Sequence, residues 1–274
     1  MGSEMKLKEY KNQKCEIDLR ILEKEIDCFS VLARILRGKC ALTLTDGARI
    51  VICHSSHPYP IWIWNEEDVT EEEKACIYAA LREHFGFFGD HTFNVKRTMA
   101  EYLIGRARQD GFTLRIKTDI CAYRCETPVE PRRAVDGKMC VACAADEAEV
   151  TELLLAFQEE TGIDPLPVEV LRAQGREMIA EQYFFLWRKE NGEAVASCRI
   201  GTLPNGMHVG KVYTKRDARR KGYAANLVHA VTKRILSMGK RAILYTDASN
   251  PASNACYTSI GYELCGDLCT VESI

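Results

Sequence analysis

Two short stretches of the chain concentrate residue types that can bind an anionic cofactor and move protons. The first is Val212-Tyr213-Thr214-Lys215-Arg216-Asp217-Ala218-Arg219-Arg220-Lys221-Gly222-Tyr223-Ala224. It reads as a strand ending at Thr214, a polar loop, and a helix opening on the small residues Gly222, Ala224 and Ala225. A helix N-terminus presents backbone N–H groups with no intrahelical acceptor and the positive end of the peptide dipole, so it attracts phosphate. Gly222 has no Cβ to hold a phosphate away from the backbone. Arg219, Arg220 and Lys221 place three cations where a diphosphate would need them. The second stretch runs from Asn250 through Ser253, Asn254, Cys256 and Tyr257 to Gly261-Tyr262, and reads as a short helix after Pro251.

The pattern Arg219-x-x-Gly222-x-Ala224, after a strand ending Val212-Tyr213-Thr214, resembles the acetyl-CoA motif of the GCN5-related N-acetyltransferase (GNAT) family, Arg/Gln-x-x-Gly-x-Gly/Ala. The downstream Asn250…Ser253…Tyr257…Gly261-Tyr262 resembles that family's Asn-x-x-Ala/Ser-x-x-x-Tyr segment ending in Gly-Phe/Tyr. One helix and one strand separate the two, which is the family's order, and the resemblance runs from about Lys138 to the C-terminus. It implies that the backbone of Val212 to Thr214, with Tyr213 between them, pairs with the pantetheine arm as an added strand would. It further implies that the N–H groups of Arg219, Arg220, Lys221, Gly222, Tyr223 and Ala224 hold the diphosphate. Asn250 would bond the pantetheine or the adjacent backbone, with Ser253 and Asn254 nearby, and Tyr257 would protonate the departing thiolate.

Simple acid–base chemistry fits those roles. A phenol titrates near about 10 and a thiol near about 8.5, so Tyr257 can donate to a leaving sulfur without first being ionised. An amine acceptor is protonated at neutral pH and must lose a proton before it attacks. The strand Met207–Thr214 contains no Asp or Glu, and His208 is its one side chain able to titrate near neutrality. Asp247, ending the next strand, is the second candidate base. Cys256 invites a covalent acyl-enzyme, but its setting among packing residues favours direct attack in a ternary complex. Two rivals stand beside the enzyme reading: a non-catalytic acyl-CoA-binding or sensing module, and nucleic-acid binding through Lys211–Lys221.

These residues need elements to position them. The C-terminal half reads β-α-α-β-β-β-α-β-α-β. It comprises a strand at Lys138–Ala145, a helix opened by a capping box at Asp146-Glu-Ala-Glu149, and a second helix started by Pro165 and Pro167 and reaching Ala180. Strands follow at Tyr183–Arg188, Ala194–Ile200 and Met207–Thr214, then a helix from Tyr223 to Met238 stopped by Gly239. A strand at Ala242–Thr246, the short helix, and a last strand pair from Tyr262 complete it. The expected architecture is α/β (α+β): a mixed central sheet flanked by helices over 135–274, preceded by an α/β domain over 5–130. The boundary falls at Glu126-Thr-Pro-Val-Glu-Pro-Arg-Arg133, where two prolines and exposed charges break the pattern.

The N-terminal half has helical spacing over Ile17–Leu36, a hairpin around Asp46-Gly47, a strand at Pro60–Trp64, and a helix from the Thr70/Glu73 capping box to Phe85. A further helix at Lys96–Asp110 leads into a strand at Phe112–Ile116. It holds no phosphate-loop motif, and its element order admits a degenerate copy of the C-terminal fold. Alternation puts Trp62 and Trp64 on one face, as a core, a domain interface or a substrate wall. The acidic run Glu66–Glu73 reads as a solvated helix start.

Bulk composition bounds the rest. Of 274 residues 46% are hydrophobic and 28% charged, enough for two ordinary cores, and a net charge of −2 argues against a dedicated nucleic-acid binder. No apolar run is long enough to span a bilayer, and the first residues resemble neither a secretory signal nor a myristoylation site; Met1-Gly2-Ser3 reads as extraneous. The 13 cysteines are odd in number and scattered, as expected of free thiols in a reducing cytoplasm. The close pairs Cys121/Cys125, Cys140/Cys143 and Cys265/Cys269 invite a metal reading, but Cys140 and Cys143 would face opposite sides of a strand and no second C-x-x-C follows at zinc-ribbon spacing, so they read as buried small hydrophobes and no metal is expected. The identity of the amine, small or protein-borne, the acyl length and the oligomeric state stay open.

Overall fold

The computed structural model describes residues 6–161 and 166–274. Met1-Gly2-Ser3 and the helix-starting Pro165 lie outside the described residues. In chain order the elements are β1 (Lys8–Lys14), a 3-10 turn (Leu19–Glu25), α1 (Ser30–Leu36), β2 (Lys39–Thr45), β3 (Ile50–His54) and β4 (Ile61–Asn65). Next come α2 (Glu71–His84), β5 (Thr92–Lys96), α3 (Arg97–Gln109) and β6 (Leu114–Cys125). The second half contains β7 (Lys138–Val141), a 3-10 turn (Ala144–Asp146), α4 (Glu147–Thr161), α5 (Val168–Ala180), β8 (Phe184–Arg188), β9 (Ala194–Leu203) and β10 (Gly206–Thr214). A 3-10 turn (Arg216–Ala218), α6 (Tyr223–Ser237), β11 (Arg241–Asp247), α7 (Pro251–Ser259) and β12 (Glu263–Ser273) complete the chain. This is the expected mixed α/β architecture. No helix among the described residues is long and apolar enough to cross a membrane.

The chain forms two compact units. One contains the residues through Ala122, Thr246–Ser249 and Leu264–Ile274; the other contains Tyr123–Tyr245 and Asn250–Glu263. The C-terminal strand, placed with the second domain on sequence grounds, therefore packs with the first unit. There β12 runs antiparallel to β5, with Leu268 opposite Lys96 and Val271 opposite Phe93.

Within the first unit, β1 to β4 form an antiparallel meander and β5 joins β4 in parallel. Asp46 Oδ1 accepts the N–H groups of Ala48, Arg49 and Ile50 at 2.8–3.0 Å, and Gly47 takes φ +84°, which closes the β2–β3 hairpin. Strand alternation sends Ile61 and Ile63 toward a core shared with α2 and α3. Trp62 and Trp64 take the other face and are buried: the Trp62 ring lies 6.4 Å from Phe29, and Trp64 Nε1 donates to Glu25 at 2.9 Å. They are core residues.

Several expectations need correction. The Ile17–Leu36 helix is broken, because Asp18 caps a separate 3-10 turn by accepting the Arg20 N–H at 3.0 Å, and the Ser30 hydroxyl donates to the Asp27 carbonyl at the restart. β1 has no counterpart among the expected elements; six of its seven residues are exposed, so it carries no hydrophobic alternation. β6 extends well beyond Ile116 to Cys125. Glu73 is not solvated: it is 7% exposed, reciprocates the Thr70 capping bond and pairs with Arg49 at 2.7 Å. β7 stops at Val141, and the capping box is formed by Cys143 and Asp146 rather than by Asp146 and Glu149. Cys143 is consequently exposed, while seven of the other cysteines are buried. The last strand pair is one 11-residue strand.

In the second unit the sheet order is β7-β8-β9-β10-β11, antiparallel except for the parallel β10–β11 pair. One face packs Phe184, Leu186, Ala194 and Tyr213 against Val150, Leu153 and Leu154 of α4 and Leu171 and Met178 of α5. α6 buries Leu227, Val228, Val231 and Ile235.

Candidate active site

The site is assembled around β10. On one edge β10 pairs with β9, Gly210 facing Arg199 and Tyr213 facing Ser197, so β10 inserts one extra residue between these pairs. The bulge puts Lys211 at φ +49°. On the other edge the parallel pairing with β11 comprises Gly206–Arg241, Met207–Ala242 and His208–Ile243, and ends there. Among the described residues, the edge of Val209–Thr214 that faces β11 has no strand partner, so its backbone groups, apart from the Thr214 carbonyl bonded to Arg219, could receive an extended ligand. His208 sits at the vertex of this splay, its ring 5.6 Å from that of Tyr245.

Beyond Thr214 the chain makes the basic loop. Lys215 N–H donates to Val195 O at 2.9 Å, which ties the loop to β9. Arg220 takes φ +59° and Gly222 φ +101°, after which α6 begins with no side-chain cap. Among the described residues, the backbone N–H groups from Arg220 to Ala225 have no acceptor; the first bond of the helix is Asn226 N–H to Gly222 O at 3.1 Å. Six consecutive amides at the positive end of a 15-residue helix are an arrangement that can receive an anion. A left-handed φ at Gly222 excludes other residue types without strain.

The three cations assigned to this loop separate into two kinds. Arg219 is part of the frame: its Nε donates to Thr214 O at 3.0 Å, its guanidinium pairs with Glu160 of α4, and it lies 5.7 Å from the Tyr213 ring centre. Arg220 and Lys221 are exposed and, like Arg216, make no ion pair among the described residues. Tyr223 points away, its hydroxyl donating to Asp136 at 2.5 Å, so it offers that arrangement only backbone. Asn226 Nδ2 bonds both Arg133 O and Gly222 O, at 2.8 and 2.9 Å, and so braces the turn.

Asn250 caps α7: its side chain accepts the Ser253 N–H at 3.1 Å, and Asn254 Nδ2 donates to Asn250 O at 2.9 Å. One turn on, Tyr257 is 7% exposed, its ring 6.1 Å from that of Tyr262. Burial pushes its phenol well above the ordinary tyrosine value, with Cys256 and Cys198 adding to the effect and a Ser253 hydrogen bond opposing it. Burial also raises the Cys256 thiol to about 11, which keeps it protonated and poorly nucleophilic at neutral pH. Asp247 accepts the Ser249 N–H at 2.8 Å and belongs to the stretch Thr246–Ser249 of the other unit.

Sequence reasoning does not single out Arg199, Phe157 or Glu160, and names Lys211 only as the start of the basic stretch Lys211–Lys221. Only the Lys211 bulge conformation and the packing of α4 on β10 bring them to notice. Among the described residues, no group of three His, Cys, Asp or Glu side chains converges on a metal position.

Residues 185–271 match the model of the FR47-like protein family. None of the curated proteins is similar to the chain in sequence. Among solved structures, a GNAT-family acetyltransferase from Colwellia psychrerythraea is similar with a TM-score of 0.61 at 12% identity, over 98% of this chain and 100% of that one. A GCN5-related N-acetyltransferase from Sphaerobacter thermophilus has a TM-score of 0.61 at 16% identity, over 85% of this chain and 80% of that one. One from Kribbella flavida has a TM-score of 0.59 at 14% identity, over 91% and 95%. With its splayed strands and open helix start, the chain has the fold of GNAT acetyltransferases and carries the FR47-like family pattern over residues 185–271.

Proposed function

We propose that the protein is an N-acetyltransferase, moving an acetyl group from acetyl-CoA to a primary amine by direct attack in a ternary complex. The observation that carries this reading is the row of acceptor-free amides from Arg220 to Ala225, beside the unpaired β10 edge. The amides suit a diphosphate, with Arg220 and Lys221 supplying counter-charge. The backbone of Val212 to Thr214 suits the amide groups of a pantetheine arm. The thioester would then lie toward the vertex, where His208 takes the amine proton, directly or through water. Holding amine and thioester together supplies much of the acceleration. Tyr257, kept protonated by burial, donates a hydrogen bond to the departing sulfur. The raised Cys256 thiol supports direct attack over an acyl-enzyme. An odd, scattered set of 13 cysteines suits a reducing cytoplasm.

The lack of any carboxylate on β10 favours a second reading, an acyl-CoA-binding protein without turnover. Thiol release from acetyl-CoA, followed across a library of primary amines, separates the two. Turnover with at least one amine is expected; binding of acetyl-CoA with no amine-dependent release would leave the binding protein.

A further inference from the structure

Lys211 combines two costs at one residue. Its backbone is left-handed, at φ +49°, which is unfavourable for any side chain with a Cβ. Its ammonium is partly buried over the Phe157 ring of α4, 5.4 Å from the centroid, and no carboxylate among the described residues pairs with it. Burial and the nearby Arg199 both disfavour its charge. On α4, which carries Phe157, Glu160 pairs with Arg219 and Glu149 with Arg188. Such a cation is costly unless an anion completes it.

Its location names the substrate that would bring the anion. Lys211 lies on the bulge, three residues past His208 at the vertex, and is separated along the chain from the diphosphate cradle that begins at Arg220. Arg199 lies opposite Gly210, on the strand neighbouring the bulge. We propose that Lys211, with Arg199 beside it, binds a carboxylate of the acceptor, so that the acceptor is an amine bearing a carboxylate, as a free amino acid does. This rests on the acyl-transfer reading above and deepens it by naming the substrate class. The amine would be presented at the vertex, near His208, while the carboxylate stays on the α4 side of the bulge. Phe157 excludes water from the ion pair and strengthens it.

The test uses the full chain, acetyl-CoA, and matched pairs of α-amino acids and the amines obtained by their decarboxylation, with thiol release as readout. Amino acids are expected to exceed their decarboxylated partners about 10- to 100-fold in kcat/KM, the worth of a charge-assisted hydrogen bond. Lys211→Met should collapse that ratio toward one through KM, and Lys211→Arg should restore part of it. Acetyl-CoA binding measured by calorimetry on each variant shows that the fold and cradle survive. A preference for amines without a carboxylate, or for phosphate-bearing amines, would overturn the inference. So would equal losses on both members of each pair in Lys211→Met. If acetyl-CoA binds and only amines without a carboxylate are turned over, the inference fails alone; if acetyl-CoA does not bind, or no amine at all is turned over, the transferase reading fails with it.

Discussion

The two halves of the chain repeat one order of elements and treat the same helix start in opposite ways. Strand, two helical segments, three strands, helix, strand, helix, strand describes both β1 to β6 and β7 to β12, with the 3-10 turn Leu19–Glu25 in place of a full first helix. Each half has a parallel strand pair reached through a helix: β4–β5 across α2, and β10–β11 across α6. At α2 the start is closed. Thr70 accepts the Glu73 N–H, Glu73 returns a bond to the Thr70 N–H, and Glu71, Glu72 and Glu73 crowd the first turn. At α6 the start is open, with Gly222 as an uncapped left-handed residue and Arg220 and Lys221 before it. On the proposed function, topology sets where a phosphate site can lie, while capping and charge decide whether one exists.

Four substitutions put this contrast at risk. The largest effect is expected from Gly222→Glu, which puts a side chain and a negative charge into the cradle; acetyl-CoA binding followed by calorimetry should fall below detection. Retained binding would remove the site from α6. Tyr257→Phe should lower kcat by about 100- to 1000-fold with the acetyl-CoA dissociation constant unchanged, since only the donor to sulfur is lost. An unchanged kcat would return Tyr257 to a packing role. Next, His208→Gln should reduce turnover about 100-fold and flatten the rise of kcat/KM with pH, because the proton acceptor at the vertex disappears. A rise that persists would move the base elsewhere. The smallest effect belongs to the closed half. Thr70→Ala should cost about 1 kcal/mol in urea unfolding and leave acetyl-CoA binding untouched. A change in cofactor affinity there would erase the distinction between the two helix starts.

Much of the second half is legible in the sequence because its signals are local. Capping residues, turn glycines and an amphipathic α6 each act within a few residues, and Gly222 and Tyr257 stand at spacings that a linear reading can follow. The structure departs from expectation where local signals are weak or misleading. β1 is almost wholly polar, the Asp18 and Ser30 bonds interrupt an otherwise helical apolar pattern, and Glu73 looks solvated until Arg49 arrives from 24 residues away.

The order of elements in the second half, the open start of α6 and the candidates for proton transfer are written in the linear chain, because helix caps, positive-φ glycines and side-chain acidities are properties of a few adjacent residues. Long-range packing alone decides that β10 parts from β11 after His208, that Arg219 braces the loop through Thr214 and Glu160, and that Lys211 is bent and enclosed against Phe157. It also decides that β12 completes the first unit rather than the second. Those facts depend on which distant strand or helix comes alongside, and strand register and burial are set by the packing of the whole chain.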